Sequence, residues 1–294
     1  MQSRDLDSGF APAVHVLALL IGAAALALLA FAGFKASSSA GAEIPIVEVK
    51  MSASGEIAPA KLPRTQPAPA TLRLGFTSES LGEPTTPELT RIALEISRNV
   101  TLQTTGLPSC PLSTLYLPSV GTRALCARSL VGHGSVTSEI TLPGQAPVKV
   151  AGRLLAFYGI GEGRPRVLAQ VTTGSPLPLT YVIPFEIEKA QGVFGTSLIV
   201  PKMSGIRGKC AYGHPNCFAQ PYTLKGVYSH ISKFELSLKR SFTHSGKRKS
   251  FVSAECPTRG RMTAASFPLA KVGLNYDGGL HLSSVVSSRC EASQ

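Results

Sequence analysis

The chain has 294 residues, a formal net charge of +12 and only 16% charged residues, against about 25% in ordinary soluble domains. With 28 Gly, 22 Pro and no Trp, the composition excludes a coiled coil or charged helical bundle, favours β structure with frequent turns, and weakens a carbohydrate reading built on indole stacking platforms. Of the net charge, +10 falls between positions 201 and 262, so the positive field belongs to one region and not to the whole chain.

Residues 1–13 read as a short cytoplasmic tail. Residues 14–34 (VHVLALLIGAAALALLAFAGF) hold no Asp, Glu, Lys or Arg, and about 20 apolar residues at a rise of about 1.5 Å cross a hydrocarbon core about 30 Å thick. A transmembrane anchor is expected. The rival is a secretory signal, with small residues in AGA suited to cleavage after Ala42. Against it, the apolar run exceeds the usual h-region of about 7–15 residues, and Asp5 and Asp7 stand beside Arg4. The six Cys all lie beyond the apolar segment, which fits an oxidising compartment and places the bulk of the chain outside the membrane. The alternative localisation is secretion of the cleaved chain.

Residues 35–70 are rich in Ala, Ser and Pro without sustained period and read as a tether, with IPIVEV as one short strand within it. Residues 71–294 then form the extracytoplasmic domain. Period-2 alternation or an apolar run marks strands at TLRLGFT (71–77), RIALEIS (91–97), GRLLAFYG (152–159), RVLAQVTT (166–173), LTYVIPFEIEK (179–189), GVFGTSLIV (192–200), ISKFELSLKR (231–240), KSFVSAEC (249–256) and LHLSSVVSSRC (280–290). Pro184 cannot donate to a ladder, which assigns its strand to a sheet edge or a bulge. One helix is expected over 122–132, capped by Thr122 at its start and Gly132 at its end. The fold class is mainly β: an antiparallel β-sandwich with one short helix, preceded by a single N-terminal transmembrane or signal helix.

The chemistry-bearing residues are sparse. Cys210 and Cys217 flank a Gly-, His- and Pro-containing stretch. The other cysteines form no close pair for a structural zinc site, and no C-x-x-C redox spacing is present. Disulfides are therefore expected for Cys110–Cys126, Cys210–Cys217 and Cys256–Cys290, each joining sequence neighbours or strand ends. His214 reads as an exposed loop side chain and His133 as part of the turn after the helix. His230, His244 and His281 match no H-x-x-x-H or H-E-x-x-H pattern. Asp277, the one aspartate beyond the apolar segment, sits in the turn NYDGG, and no G-x-S-x-G elbow is present. Glu186, Glu188, Glu235 and Glu255 are scattered, the first two on the solvated face of one strand. YGIGEGRP reads as a hairpin turn, since a strand follows it where a dinucleotide loop needs a helix. No catalytic residue, metal ligand or cofactor is assigned.

At GRLLAFYG, YVIPFEIEKAQGVFGTSLIVPK, FELSLKRSFTHSGKRKSFVSAECP and ASFPLAKVGLNYDGG the chain resembles a group of uncharacterised exported proteins from actinobacteria. The resemblance runs from about residue 90 to 290 and implies export and one domain, with no activity attached. KCAYGHPNC looks like an elaboration beyond that shared core.

The sharpest functional feature is LKRSFTHSGKRKSF (238–251). THSG can turn the chain between two strands and so gathers Lys239, Arg240, Lys247, Arg248 and Lys249 at one hairpin. The expected function is a non-enzymatic, membrane-tethered or secreted β-domain that binds an envelope component, anionic lipid or wall polymer, with no nucleic-acid partner. The alternatives are an exported hydrolase whose site the sequence hides and a purely structural envelope protein.

Overall fold

The computed structural model describes residues 49–81, 87–117, 119–141, 146–174, 179–203, 208–210, 218–219, 228–258 and 260–293. The chain divides into two units, Met1–Pro45 and Ile46–Gln294, and every described residue belongs to the second. The apolar segment 14–34, His214 and Cys217 lie outside the described residues. Among the described residues no helix is long and apolar enough to cross a membrane.

The protein is mainly β. In chain order β1 (Val49–Ala58), β2 (Lys61–Pro63), β3 (Ala68–Pro69), β4 (Thr71–Ser80), β5 (Leu89–Ser97) and β6 (Val100–Leu102) precede a 3-10 turn (Leu112–Tyr116), helix α1 (Ser119–Cys126) and a second 3-10 turn (Ala127–Ser129). Then follow β7 (Leu130–Thr141), β8 (Val148–Gly161), β9 (Arg164–Thr173), β10 (Leu179–Lys189), β11 (Phe194–Val200), β12 (Gly208–Cys210) and β13 (Phe218–Ala219). The chain finishes with β14 (Tyr228–Leu238), β15 (Ser241–His244), β16 (Lys247–Ser250), β17 (Val252–Ala254), β18 (Ala264–Tyr276) and β19 (His281–Ser293).

Where two facing sheets were expected, a single sheet runs in the order β1-β4-β14-β7-β8-β9-β10-β11-β5-β18-β19-β2 and curls into a nearly closed barrel. Neighbours are antiparallel except β19 and β2. Strands of 10–14 residues such as β8 and β9 are long enough for their twist to bring opposite parts of one sheet face to face. Phe185 of β10 and Phe234 of β14 meet across the interior at 5.7 Å, and Phe234 stacks on Phe76 of β4 at 5.5 Å. The two ends of the sheet also meet: a Cβ on Gly55 of β1 would stand 3.2 Å from Val286 of β19 and 3.3 Å from Leu269 of β18. Beyond Ala58 the chain crosses to β2, where the Glu291 amide donates to the Ala60 carbonyl at 2.8 Å.

This closure corrects the expected 35–70 linker. Residues 49–58 pair along their whole length with β4, from Val49↔Ser80 to Ala58↔Thr71, and residues 61–63 and 68–69 form β2 and β3. The Ala-, Ser- and Gly-rich composition of β1 looks like a spacer, yet small residues are what allow the first strand to approach the last ones. At one end the small sheet β3-β17-β6 adds Val100, Val252 and Ala254 to the core. The expected strand 249–256 is therefore divided. Its first residues belong to the β15-β16 hairpin and its later ones to this second sheet, with buried Phe251 between them.

A second, smaller core lies on the outer face of β8, β9 and β10, where Leu155, Phe157, Leu168 and Val182 pack beneath Leu115 and the disulfide Cys110–Cys126. The cover is a flap made of the 3-10 turn Leu112–Tyr116, Leu117 after it, and α1. It explains the continuous apolar run LLAFY in β8, since a strand buried on both faces loses its alternation. The helix itself begins earlier and ends earlier than expected. Thr122 is no cap: it is buried inside α1 and its hydroxyl donates to the carbonyls of Thr114 and Leu117. Gly132 lies in β7, where any side chain would collide with the Ser237 carbonyl. Its glycine answers to strand crowding, not to a helix end. Buried Gln170 of β9 donates from Nε2 to the Leu115 carbonyl at 2.7 Å and the Leu117 carbonyl at 3.0 Å, fixing the flap from below.

Pro184 is also placed differently. β10 is an interior strand, but its second edge is shared between β12, opposite 179–181, and β11, opposite 186–189. Pro184 occupies the interval in which no ladder donor is required. The disulfides Cys110–Cys126 and Cys256–Cys290 are formed as expected, while the Cys210–Cys217 pairing involves a residue outside those described. Because Phe234 is fully buried and touches two aromatic partners, Phe234→Ala should lower stability by about 3–5 kcal/mol, read as a drop in the urea midpoint. A loss below about 1 kcal/mol would show that the interior is not packed around this ring.

Candidate functional site

The basic hairpin forms as the sequence predicts. Ser245 and Gly246 have φ of 50° and 72°, the positive values a tight two-residue turn requires, and the strands pair Phe242↔Lys249, Thr243↔Arg248 and His244↔Lys247. This register divides the cations. Lys247 and Lys249 share a face with His244 and Phe242, Arg248 lies on the opposite face beside Thr243, and Lys239 and Arg240 stand at the base. Lys239, Lys247 and Arg248 are exposed, Arg240 and Lys249 half-buried. The base is fixed to the barrel by the Lys239 amide, which donates to the Val131 carbonyl at 2.8 Å, and the hairpin is closed at that base by the Phe251 amide, which donates to the Arg240 carbonyl at 2.7 Å. Near the turn, His244 lies against Gly106, where no side chain fits.

No Asp or Glu occurs from Leu236 to Ala254, and among the described residues no carboxylate pairs with any of these five cations. Some cations elsewhere on the barrel do have such partners. Arg166 meets Glu186 at 2.7 Å and Glu162 at 3.1 Å, Arg164 lies 3.5 Å from Glu186, Arg73 meets Glu56 at 2.7 Å, and Lys271 lies 3.5 Å from Glu95. Glu186, expected on a solvated edge, is instead the half-buried centre of that arginine network.

A concavity of about 520 Å³ lies on the outer face of β1, β4, β14 and β7, lined among others by Glu56, Arg73, His133, Glu235 and Ser237. The register aligns Glu56, Arg73, Ser237 and His133 in one row across four strands, and Ser54, Gly75, Glu235 and Ser135 in the next. A Cβ at Gly75 would stand 2.7 Å from the Phe234 carbonyl and 2.9 Å from Ser54 Oγ, so backbone forms the floor. Sequence reasoning missed this cleft, and it placed His133 in a turn where the chain is in fact strand β7. The alternation of polar residues at 133, 135, 233, 235 and 237 marks the outward faces, but only the register juxtaposes them. Glu235 is held by Lys233 at 2.9 Å and by Ser135, which donates to it at 2.7 Å. Both hold its carboxyl below the usual range. His133 makes no hydrogen bond to these carboxylates or hydroxyls among the described residues, so the cleft presents paired charges and hydroxyls and not an assembled relay of Ser, His and carboxylate.

Two phenols and one imidazole complete the titratable groups of note. Burial pushes Tyr181 up to about 12, with Ser138 opposing, and raises Tyr276, whose hydroxyl lies 2.6 Å from that of Ser78. Neither exchanges protons near neutrality. His230 lies in a row with Glu139 and Lys149, its Nε2 3.8 Å from Glu139. Burial holds its imidazole below the ordinary value, helped by Lys149 and opposed by Glu139. Among the described residues no group of three His, Cys, Asp or Glu is placed to hold a metal ion. Compared with protein-family models, curated proteins and solved structures, the chain matches none.

The depressed imidazole of His230 makes stability depend on pH. Between its folded value and the ordinary value near 6.5, the unfolded chain binds a proton that the folded chain does not, so stability is complete above that window and falls as pH drops through it. His230→Gln should flatten the pH dependence of the urea midpoint between about pH 7 and 5. An unchanged slope would assign the acid sensitivity to carboxylates instead.

Proposed function

We propose that the protein is a non-enzymatic β-domain of the cell envelope, held at the membrane by residues 14–34 or released by cleavage after Ala42, that binds an anionic surface through the β15-β16 hairpin. The observation that carries this reading is the gathering of five cations on one hairpin, in a stretch without Asp or Glu from Leu236 to Ala254. Arg73, Arg164, Arg166, Lys233 and Lys271 each have a carboxylate partner, whereas the five hairpin cations have none among the described residues. Surface cations left without internal partners on a rigid, docked hairpin are available to phosphate-bearing ligands. The disulfides support an oxidising location, and the resemblance to exported proteins agrees with it.

Lysines on an exposed hairpin also discourage edge-to-edge association, so the test must separate a solvated tip from a contact. A version beginning at Ile46 contains the whole hydrophobic core and is compared with the variant in which Lys239, Arg240, Lys247, Arg248 and Lys249 are all changed to Gln. Each basic residue at an anionic surface contributes about 1 kcal/mol, so three contacts imply roughly 100-fold weaker binding of the variant to anionic vesicles at low salt. Binding should also weaken at high salt and be absent on neutral vesicles. Equal binding by the two proteins, or indifference to salt, would leave the hairpin as ordinary solvated surface.

A further inference from the structure

The flap carries a second surface of different chemistry. Ten large hydrophobic side chains are conspicuously exposed among the described residues, and four of them, Leu112 (44%), Leu117 (41%), Val120 (80%) and Leu125 (70%), fall in the flap. Singly exposed aliphatics are ordinary, but a cluster marks an interaction site. These are close in space as well as in sequence. The Thr122 hydroxyl ties α1 to the carbonyls of Thr114 and Leu117, and a Cβ on Gly121 would stand 3.9 Å from that of Leu117. The inward residues Leu115, Thr122 and Cys126 are buried, so the outward aliphatics have nowhere to retreat.

The charges carried by the flap's own stretch of sequence have one sign. From position 96 to 138 there is no Asp or Glu, and Arg123 and Arg128 are exposed beside the aliphatics. The flap also adjoins the basic hairpin. The loop leading into Cys110 rests on His244 through Gly106, and the Lys239 amide donates to the carbonyl of Val131, at the start of β7, which α1 reaches through the 3-10 turn Ala127–Ser129.

We propose that the flap is a shallow membrane-docking face for an anionic bilayer, with Leu117, Val120 and Leu125 entering the boundary between headgroups and acyl chains and Arg123 and Arg128 paired with lipid phosphates. Exposed aliphatics and arginines in a segment that carries no Asp or Glu of its own are a composition suited to an interfacial lipid contact. The occupant is the bilayer because of the chain that precedes the barrel. Residues 14–34 have the length and apolarity of an anchor, and positions 35–48 before β1 span at most about 50 Å when extended, which keeps the domain within reach of the surface. The inference rests on the membrane-tethered reading above and adds an apolar, salt-resistant component that the hairpin does not supply.

The chain contains no Trp, so one introduced indole reports its own surroundings. Full-length protein carrying Val120→Trp or Leu125→Trp is reconstituted into vesicles of phosphatidylcholine alone or mixed with phosphatidylglycerol, beside a control carrying Val285→Trp, a position exposed on β19. In the anionic vesicles the flap indoles should shift to the blue, be quenched by brominated acyl chains and lose accessibility to aqueous iodide, while the control stays in water. The blue shift should survive salt that releases the hairpin. Flap indoles that remain open to iodide in anionic vesicles would overturn the proposal. So would a blue shift without lipid quenching, which would indicate a second copy or a protein partner. If salt-sensitive binding still requires the five hairpin cations in either case, the hairpin reading stands and only the flap inference fails.

Discussion

The structure depends on closing one long sheet around an apolar interior. A curled sheet stays open at its seam unless its first and last strands can approach, and β1 approaches β18 and β19 through small residues, with Gly55 against Val286 and Leu269. The interior is then filled by Phe76, Phe185 and Phe234, all essentially without solvent exposure. Burial of such rings is the largest favourable contribution available to a chain with few charges. The crossing to β2 and the disulfide Cys256–Cys290, both fully buried sulfurs, hold the last strand at the seam.

Closure settles the inner face and leaves the outer face to be arranged separately. Over β1, β4, β14 and β7 the outer face is polar and open. Over β8, β9 and β10 it is apolar and covered, and the cover is too small to fold alone. A helix of eight residues is far below the length at which helices persist in water. Its stability comes from Leu115, from Gln170 beneath it and from the Cys110–Cys126 bridge, which closes a short loop and so restricts the unfolded chain. A helix held by tertiary contacts need not hide all of its apolar side chains, which is why aliphatics remain on its outer side.

Charge follows a corresponding division. Several barrel cations, among them Arg73, Lys149, Arg166 and Lys271, lie across a strand from a glutamate, and such exposed pairs contribute little to stability but cancel the local field. The hairpin and the flap lack acidic residues altogether. Among the described residues, positive charge without acidic neighbours in sequence therefore gathers where the hairpin, the loop before Cys110 and the start of β7 meet. That concentration comes from the absence of Asp and Glu in two stretches far apart in sequence and joined only in the fold.

Much of this was legible in the sequence. LTYVIPFEIEK gives the bounds of β10, the turns at Glu162-Gly163 and Ser245-Gly246 are where glycine-containing dipeptides indicated them, and two disulfides join the cysteines that sequence proximity and strand ends suggested. These are local properties: side-chain alternation, turn conformation and short closure. What the sequence could not disclose was non-local. A strand half of whose residues are Ala, Ser and Gly resembles a linker until its partner is known, Gly132 resembles a helix end until Ser237 is placed beside it, and the cleft residues His133 and Glu235 become neighbours only through the β7-β14 register. The sequence by itself determined a β protein with a cationic hairpin. The tertiary structure decided that one sheet closes into a barrel and which side chains share a surface, because register and seam packing depend on contacts between residues that local pattern does not connect.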